Sequence, residues 1–158
     1  MTTDFAALVQ RFAAAAAAGD GDALTDLFTA DGIYDDYFFG PHAGGAAIKR
    51  MLAHFADGGR NFRWEFLDPV RCGDLGYASY RFSFDSTDPG ANGARVVFDG
   101  IGRFELDGDR IRRYSEVFDR GMALAQQAYA PERLGKILRT YAAAIKARPE
   151  WQGHVHGA

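Results

Sequence analysis

The chain has 158 residues, of which 47% are hydrophobic and 25% charged, and its formal net charge is −3. That length fits one domain able to bury a core or an internal pocket. The mild acidity and scattered Lys and Arg exclude a nucleic-acid partner. The single cysteine, Cys72, excludes an internal disulfide and a cysteine-based metal cluster. No apolar run approaches the ~20 residues that span a bilayer, so no membrane partner is expected. The start of the chain lacks a basic segment of signal-peptide type, and a cytoplasmic location is the expectation. Aromatic residues make up 14% of the chain, including 13 Phe. Such an excess suits a cavity wall as well as a core.

Phe5, Leu8, Val9, Phe12 and Ala16 recur at helical spacing, which predicts an amphipathic helix over residues 3–18 with Gly19 as its cap. Asp20 or Asp22 caps a second helix that presents Leu24, Leu27 and Phe28 and ends at Asp31-Gly32. A short strand follows over residues 33–38, and Gly40-Pro41-His42 reads as a turn. Ile48, Met51, Leu52 and Phe55 define a third helix, closed by Gly58-Gly59.

The period then changes. Phe62, Trp64 and Phe66 alternate with polar residues, as do Ala78, Tyr80, Phe82 and Phe84. Val96, Phe98, Gly100, Gly102 and Phe104 share one face of a further strand. The Asp107-Gly108-Asp109 hairpin turn leads into a last strand over residues 111–119. This order predicts an α+β domain: three N-terminal helices packed on one face of a curved antiparallel sheet. Leu134, Ile137, Leu138, Tyr141 and Ile145 form a C-terminal helix that starts at Pro131 and stops before Pro149. The tail from Trp151 onward is expected to fray. Residues 1–128 are read as the domain proper, and 129–158 as a helix and tail packed on it.

Strand parity nominates a site. Tyr34 and Asp36 point to one face of their strand, and Tyr114, Glu116 and Phe118 to one face of theirs. Tyr80, Phe82 and Phe84 do so on the middle strand, and Phe98 belongs with the next. If these faces are concave, two carboxylates and three phenols share an aromatic pocket. A carboxylate there is desolvated, its pKa rises, and it suits general acid–base work near neutral pH. Asp36 and Glu116 are the catalytic candidates. Tyr34, His42, Tyr80, Phe82, Phe98 and Tyr114 are the binding candidates.

Plainer roles compete. Asp36 can cap the loop before Gly40, and Asp35 can be solvated or bonded to that turn. Glu116 can pair with Arg81, Arg103 or Arg113, and His42 can be an ordinary loop histidine. His154 and His156 are too few for a metal site, and Gly100 and Gly102 lie inside a strand rather than in a nucleotide loop. That glycine pair suits sheet curvature or room for a ligand. No metal and no cofactor are expected. Val97, Ile101 and Val117 alternate on the opposite sheet face, which predicts a homodimer.

Phe28-Thr29-Ala30-Asp31-Gly32-Ile33-Tyr34-Asp35-Asp36 with Gly44 and Ala47-Ile48 resembles SnoaL-like proteins of the nuclear transport factor 2-like superfamily. So do Gly102-Arg103-Phe104, Asp109-Arg110-Ile111 and Glu116-Val117-Phe118-Asp119. The resemblance spans roughly residues 4–128. It implies a cone with an internal pocket, a small hydrophobic ligand and frequent pairing through the sheet. The superfamily includes ketosteroid isomerases, polyketide cyclases, limonene epoxide hydrolases, dehydratases and non-enzymatic binders, so fold alone does not choose a chemistry. Tyr34 and Asp36 are similar in position to the tyrosine and asparagine that hold the attacking water in limonene epoxide hydrolases. Glu116 falls where that family has a carboxylate on its last strand. Tyr80 and Phe82 stand where it has an arginine and aspartate pair, so its general acid is missing. Asp36 also lies near the proton-shuttling aspartate of ketosteroid isomerases. The resemblance thus implies either a cofactor-free isomerase, cyclase, dehydratase or hydrolase, or a non-catalytic binding or assembly domain.

Overall fold

The computed structural model describes residues 4–157. Helix α1 (Phe5–Ala18) starts where Asp4 accepts from the Ala6 N–H, and ends at Gly19 in the left-handed conformation. Asp20 caps α2 (Gly21–Thr25) by accepting from the Ala23 N–H. Strands β1 (Phe28–Asp36) and β2 (Gly40–Ala43) then form a short hairpin. Helix α3 (Gly45–Asp57) precedes four long strands: β3 (Gly59–Cys72), β4 (Leu75–Ser86), β5 (Arg95–Asp107) and β6 (Arg110–Phe118). Helices α4 (Arg120–Ala125), α5 (Pro131–Lys146) and α6 (Gln152–Val155) close the chain, with a 3₁₀ turn at Pro149–Trp151 before α6.

The six strands make one curved, unclosed sheet in the order β2-β1-β6-β5-β4-β3. The α+β cone expected from the period change is present. The pairing differs from an all-antiparallel sheet in one place, because β1 runs parallel to β6. The chain reaches β6 only after four intervening strands, and that long return brings it beside β1 in the same direction. Among the described residues no helix is long and apolar enough to cross a membrane.

Several local expectations are corrected. Phe28 opens β1 instead of lying on α2, since the Leu27 N–H folds back to the Leu24 carbonyl and ends the helix. Pairing of Phe28 with Ile111 then recruits it to the sheet. The turn after β1 sits at Tyr37–Phe39, and Gly40-Pro41-His42 is strand, with His42 opposite Tyr34. Pro149–Trp151 and Gln152–Val155 form short helices where fraying from Trp151 onward is expected. Helix α4 has too few residues to show a period, and Asp119 caps it through the Met122 N–H.

The core fills the concave side of the sheet. Phe12 of α1 is fully buried at its centre. Its ring meets Tyr34, Trp64, Phe66, Phe104 and Tyr114, with centroids 4.6–5.9 Å away. One helical side chain thereby joins β1, β3, β5 and β6. Truncation leaves a cavity that five strand-anchored rings cannot collapse to fill. Phe12→Ala should therefore cost about 3–5 kcal/mol in urea unfolding; a loss under about 1 kcal/mol would remove Phe12 from the centre of the core.

Candidate functional site

The site is built on the β1–β6–β5–β4 stretch of the cone. On β6, Tyr114 is buried and Glu116 lies two residues further toward the open end. On β4, Tyr80 is buried and reaches across β5 to the same carboxylate. Tyr80 donates to Glu116 Oε2 at 2.8 Å, and Tyr114 donates to the same oxygen at 2.9 Å. No arginine takes that place: Arg113 pairs with Asp35, and Arg103 with Glu105.

The crossing of β5 by these rings explains its two glycines. A side chain at Gly100 would put its Cβ 2.5 Å from the Tyr80 hydroxyl. At Gly102 it would meet the Tyr114 ring at 3.0 Å. The glycines therefore make room for the two tyrosines that hold Glu116.

Asp36 ends β1 and is buried. Its Oδ1 accepts from the backbone N–H groups of Phe38 and Phe39, both at 2.8 Å. The capping role open to Asp36 in the sequence is thus present, and it coexists with a place on the cavity wall. Asp36, Glu116, Tyr34, Tyr80, Phe82 and Phe98 line one inner chamber, together with Phe38, Met51, Leu52, Phe55, Trp64 and Phe118. Tyr114 stands behind this wall, holding Glu116. His42 lies outside, in a surface depression with Phe39 and His54, where its Nδ1 donates to the Gly40 carbonyl at 2.9 Å.

Burial raises the Glu116 pKa to about 7, and the nearby Asp36 charge adds to the rise. The two tyrosine hydroxyls and the Tyr37 N–H oppose it. Burial also raises Asp36, against the two backbone donors of its turn. Tyr34, Tyr80 and Tyr114 are pushed upward, first by burial and then by the Glu116 charge, so all three keep their protons. The result is a carboxyl group poised to gain or lose a proton near neutral pH, held by permanent donors.

The inner chamber is small, about 30 Å³, room for one or two waters. A vestibule of about 520 Å³ adjoins it. Phe38, Phe55, Phe82 and Phe98 line both spaces and form the constriction between them. The vestibule is closed on its far side by Leu124, Tyr129, Ile137 and Tyr141. Helix α5 has no buried residue and is tied down through Arg120. The Arg120 guanidinium stacks between Tyr37, 4.0 Å from its ring centre, and Tyr141, at 3.6 Å. Sequence reasoning placed Trp64, Met51, Leu52 and Phe55 on apolar faces but did not assign them to the site. Only the convergence of α3 with β3 turns those faces into one wall.

A buried acid held by two tyrosines thus lines the inner chamber of a curved α+β cone. The SnoaL-like domain profile matches residues 9–114, and the chain belongs to that family. Several solved structures share the fold. A hypothetical protein with a ketosteroid isomerase-like fold from Catenulispora acidiphila, in complex with trimethylamine, is 21% identical, with a TM-score of 0.71 over 84% of this chain and 98% of that one. An M. tuberculosis LEH-like epoxide hydrolase is 21% identical, with a TM-score of 0.64 over 80% and 86%. A candidate polyketide cyclase from Xanthomonas campestris is 26% identical, with a TM-score of 0.64 over 76% and 93%. No curated protein matches the sequence.

The raised Glu116 pKa has a stability consequence. The folded chain holds this proton more tightly than the unfolded chain, whose value is near 4.5. Its contribution to stability is therefore full below pH 4.5 and is lost as pH rises through about 7. Glu116→Gln should remove this part of the pH dependence and melt above the wild type at pH 8. Equal slopes of melting temperature against pH between 5 and 8 would show that Glu116 titrates normally.

Proposed function

We propose that this chain is a cofactor-free acid–base enzyme that isomerises, cyclises, dehydrates or hydrates a small apolar molecule. Glu116 carries the proton, and Asp36 tunes it by charge. The observation behind this reading is the Glu116 carboxyl group, enclosed in an aromatic chamber and held by two tyrosine donors, where burial pushes its pKa up to about 7. A group matched to neutral pH can take a proton from one atom of a substrate and return it to another. The vestibule suits the body of the substrate, and the inner chamber admits only its reacting end. Epoxide opening by the limonene epoxide hydrolase route lacks support, since Tyr80 and Phe82 replace the arginine and aspartate of that mechanism.

One observation favours a second reading, a non-catalytic binding domain. Asp36 Oδ1 is engaged by two backbone donors, so this acid already serves the fold. A library of small apolar ketones, alcohols and epoxides, screened by melting shift in D₂O and followed by mass spectrometry, separates the two. The enzyme reading expects a binder that is converted or gains deuterium. Glu116→Gln should still bind it but lose about 10²–10⁴-fold in rate. Binding without conversion or exchange in the wild type would leave the binding-domain reading.

We also propose that the chain pairs with a second copy through the convex sheet face. Val97, Ile101 and Val117 are about half exposed there, a grouping that favours cover by a protein surface. Sedimentation at micromolar concentration should show a dimer of the 17.3 kDa chain. A monomer alone at that concentration would rule the pairing out.

A further inference from the structure

His42, left outside the inner chamber, sits in a surface depression of about 250 Å³ whose other polar side chains are Arg50 and His54. Helix α3 supplies Ala47, Arg50, Met51 and His54, spaced i, i+3, i+4 and i+7, so that one helical face presents them together. Strand β2 supplies His42, and the turn before it supplies Phe39. No carboxylate lines this depression, in a chain where 21 Asp and Glu outnumber 18 Lys and Arg. Its central cation is uncommitted. Lys49 pairs with Asp22, whereas Arg50, exposed and next in the chain, has no ion pair or side-chain hydrogen bond among the described residues. The His42 Nδ1 is bonded to the Gly40 carbonyl, which leaves Nε2 as its uncommitted nitrogen.

The depression joins the vestibule. Phe39 and His54 line both spaces, and their rings meet edge-on with centroids 5.3 Å apart. Asp57 lines only the vestibule, three residues beyond His54, so the Arg50 end is the place free of negative charge. On its inner side the vestibule meets the chamber of Asp36 and Glu116. That chamber resists an anion twice, through desolvation and through its own carboxylates. Polarity therefore changes in order along the connected spaces, from acids inside, through an apolar middle, to a basic outer end.

We propose that the Arg50, His42 and His54 depression is an anion subsite, and that the ligand is a small apolar carboxylate with its body in the vestibule and its charged end against Arg50. This deepens the acid–base reading and rests on it for the vestibule as the place of the ligand's body. A carboxylate fits because the flat guanidinium fork offers it two parallel donors. Phe39, half exposed at the junction, flanks the segment that links body to charge. The subsite also fixes orientation: the end remote from the carboxylate points to the phenylalanine constriction and to Glu116.

The test uses the full chain at low salt, with 4-phenylbutanoate and its neutral amide, 4-phenylbutanamide, as probes. The two share size and ring and differ in charge. The Ile137 methyl signal reports occupancy of the vestibule, and calorimetry gives each affinity. The wild type should bind the carboxylate at least about fivefold more tightly than the amide, the scale of one solvent-accessible charge pair. Arg50→Gln should remove that advantage and leave the amide within about twofold. Arg50 is exposed, so its replacement leaves the core untouched. Lys49→Gln makes the same change in net charge beside the site and should leave both probes within about twofold. If both probes move Ile137 with equal affinity, the vestibule stands and the anion subsite is wrong. Equal weakening of the carboxylate by Lys49→Gln and Arg50→Gln would reveal a general field in place of a site, and overturns the proposal as well. If neither probe moves Ile137, the vestibule reading falls, and this assignment falls with it.

Discussion

The site depends on one interaction, the acceptance of two tyrosine hydroxyls by a single oxygen of Glu116. A carboxylate in an aromatic interior is costly unless it is neutral or bonded. Tyr80 and Tyr114 make the charged form tolerable, while burial and Asp36 make the neutral form competitive. The two hydroxyls arrive from different strands and limit the rise that burial imposes. That convergence shapes the neighbouring chain. Strand β5 lies between the two tyrosine strands and carries glycine at positions 100 and 102, where a side chain would strike Tyr80 and crowd Tyr114. Phe12 presses on Tyr114 from the helix side, with 4.6 Å between ring centres, and fixes the ring whose hydroxyl holds the acid.

The second constraint is the narrowness of the chamber. Aromatic rings fill most of the concave side, so the fold keeps a core and a site in one space. Rings serve both purposes because they pack densely and present flat, apolar walls. Open volume is displaced outward, to a vestibule that the cone closes only with the help of the C-terminal residues. The Arg120 stack between Tyr37 and Tyr141 links the turn that Asp36 caps to helix α5. Position of the acid and cover of the vestibule are thereby mechanically connected.

Much of the fold was legible in the chain. The switch from helical to alternating period near Asn61 marked the change from helices to sheet, Gly19 was readable as a cap, and the second cap was narrowed to Asp20 or Asp22, of which the structure uses Asp20. Errors arose where a residue's state depends on a distant partner. Phe28 continues a helical apolar face by spacing, yet Ile111 draws it into the sheet. Gly40-Pro41-His42 has turn composition, yet β1 supplies a neighbour that makes it strand. The parallel β1–β6 pair has no local signature at all.

Sequence alone determined which side chains share a face. Tyr34 with Asp36, Tyr114 with Glu116, and Tyr80 with Phe82 follow from the two-residue period of a strand, a property of local backbone geometry. Tertiary structure decided which faces meet, and with them the partners of each acid. Glu116 had three arginines within plausible reach by register and took two tyrosines instead. Asp36 became a turn cap and a cavity wall at once, and His42 fell outside the chamber. Trp64 changed from one more apolar strand residue to part of the chamber wall. Each of these outcomes depends on curvature and on contacts between residues far apart in the chain, and neither quantity is encoded in any local pattern.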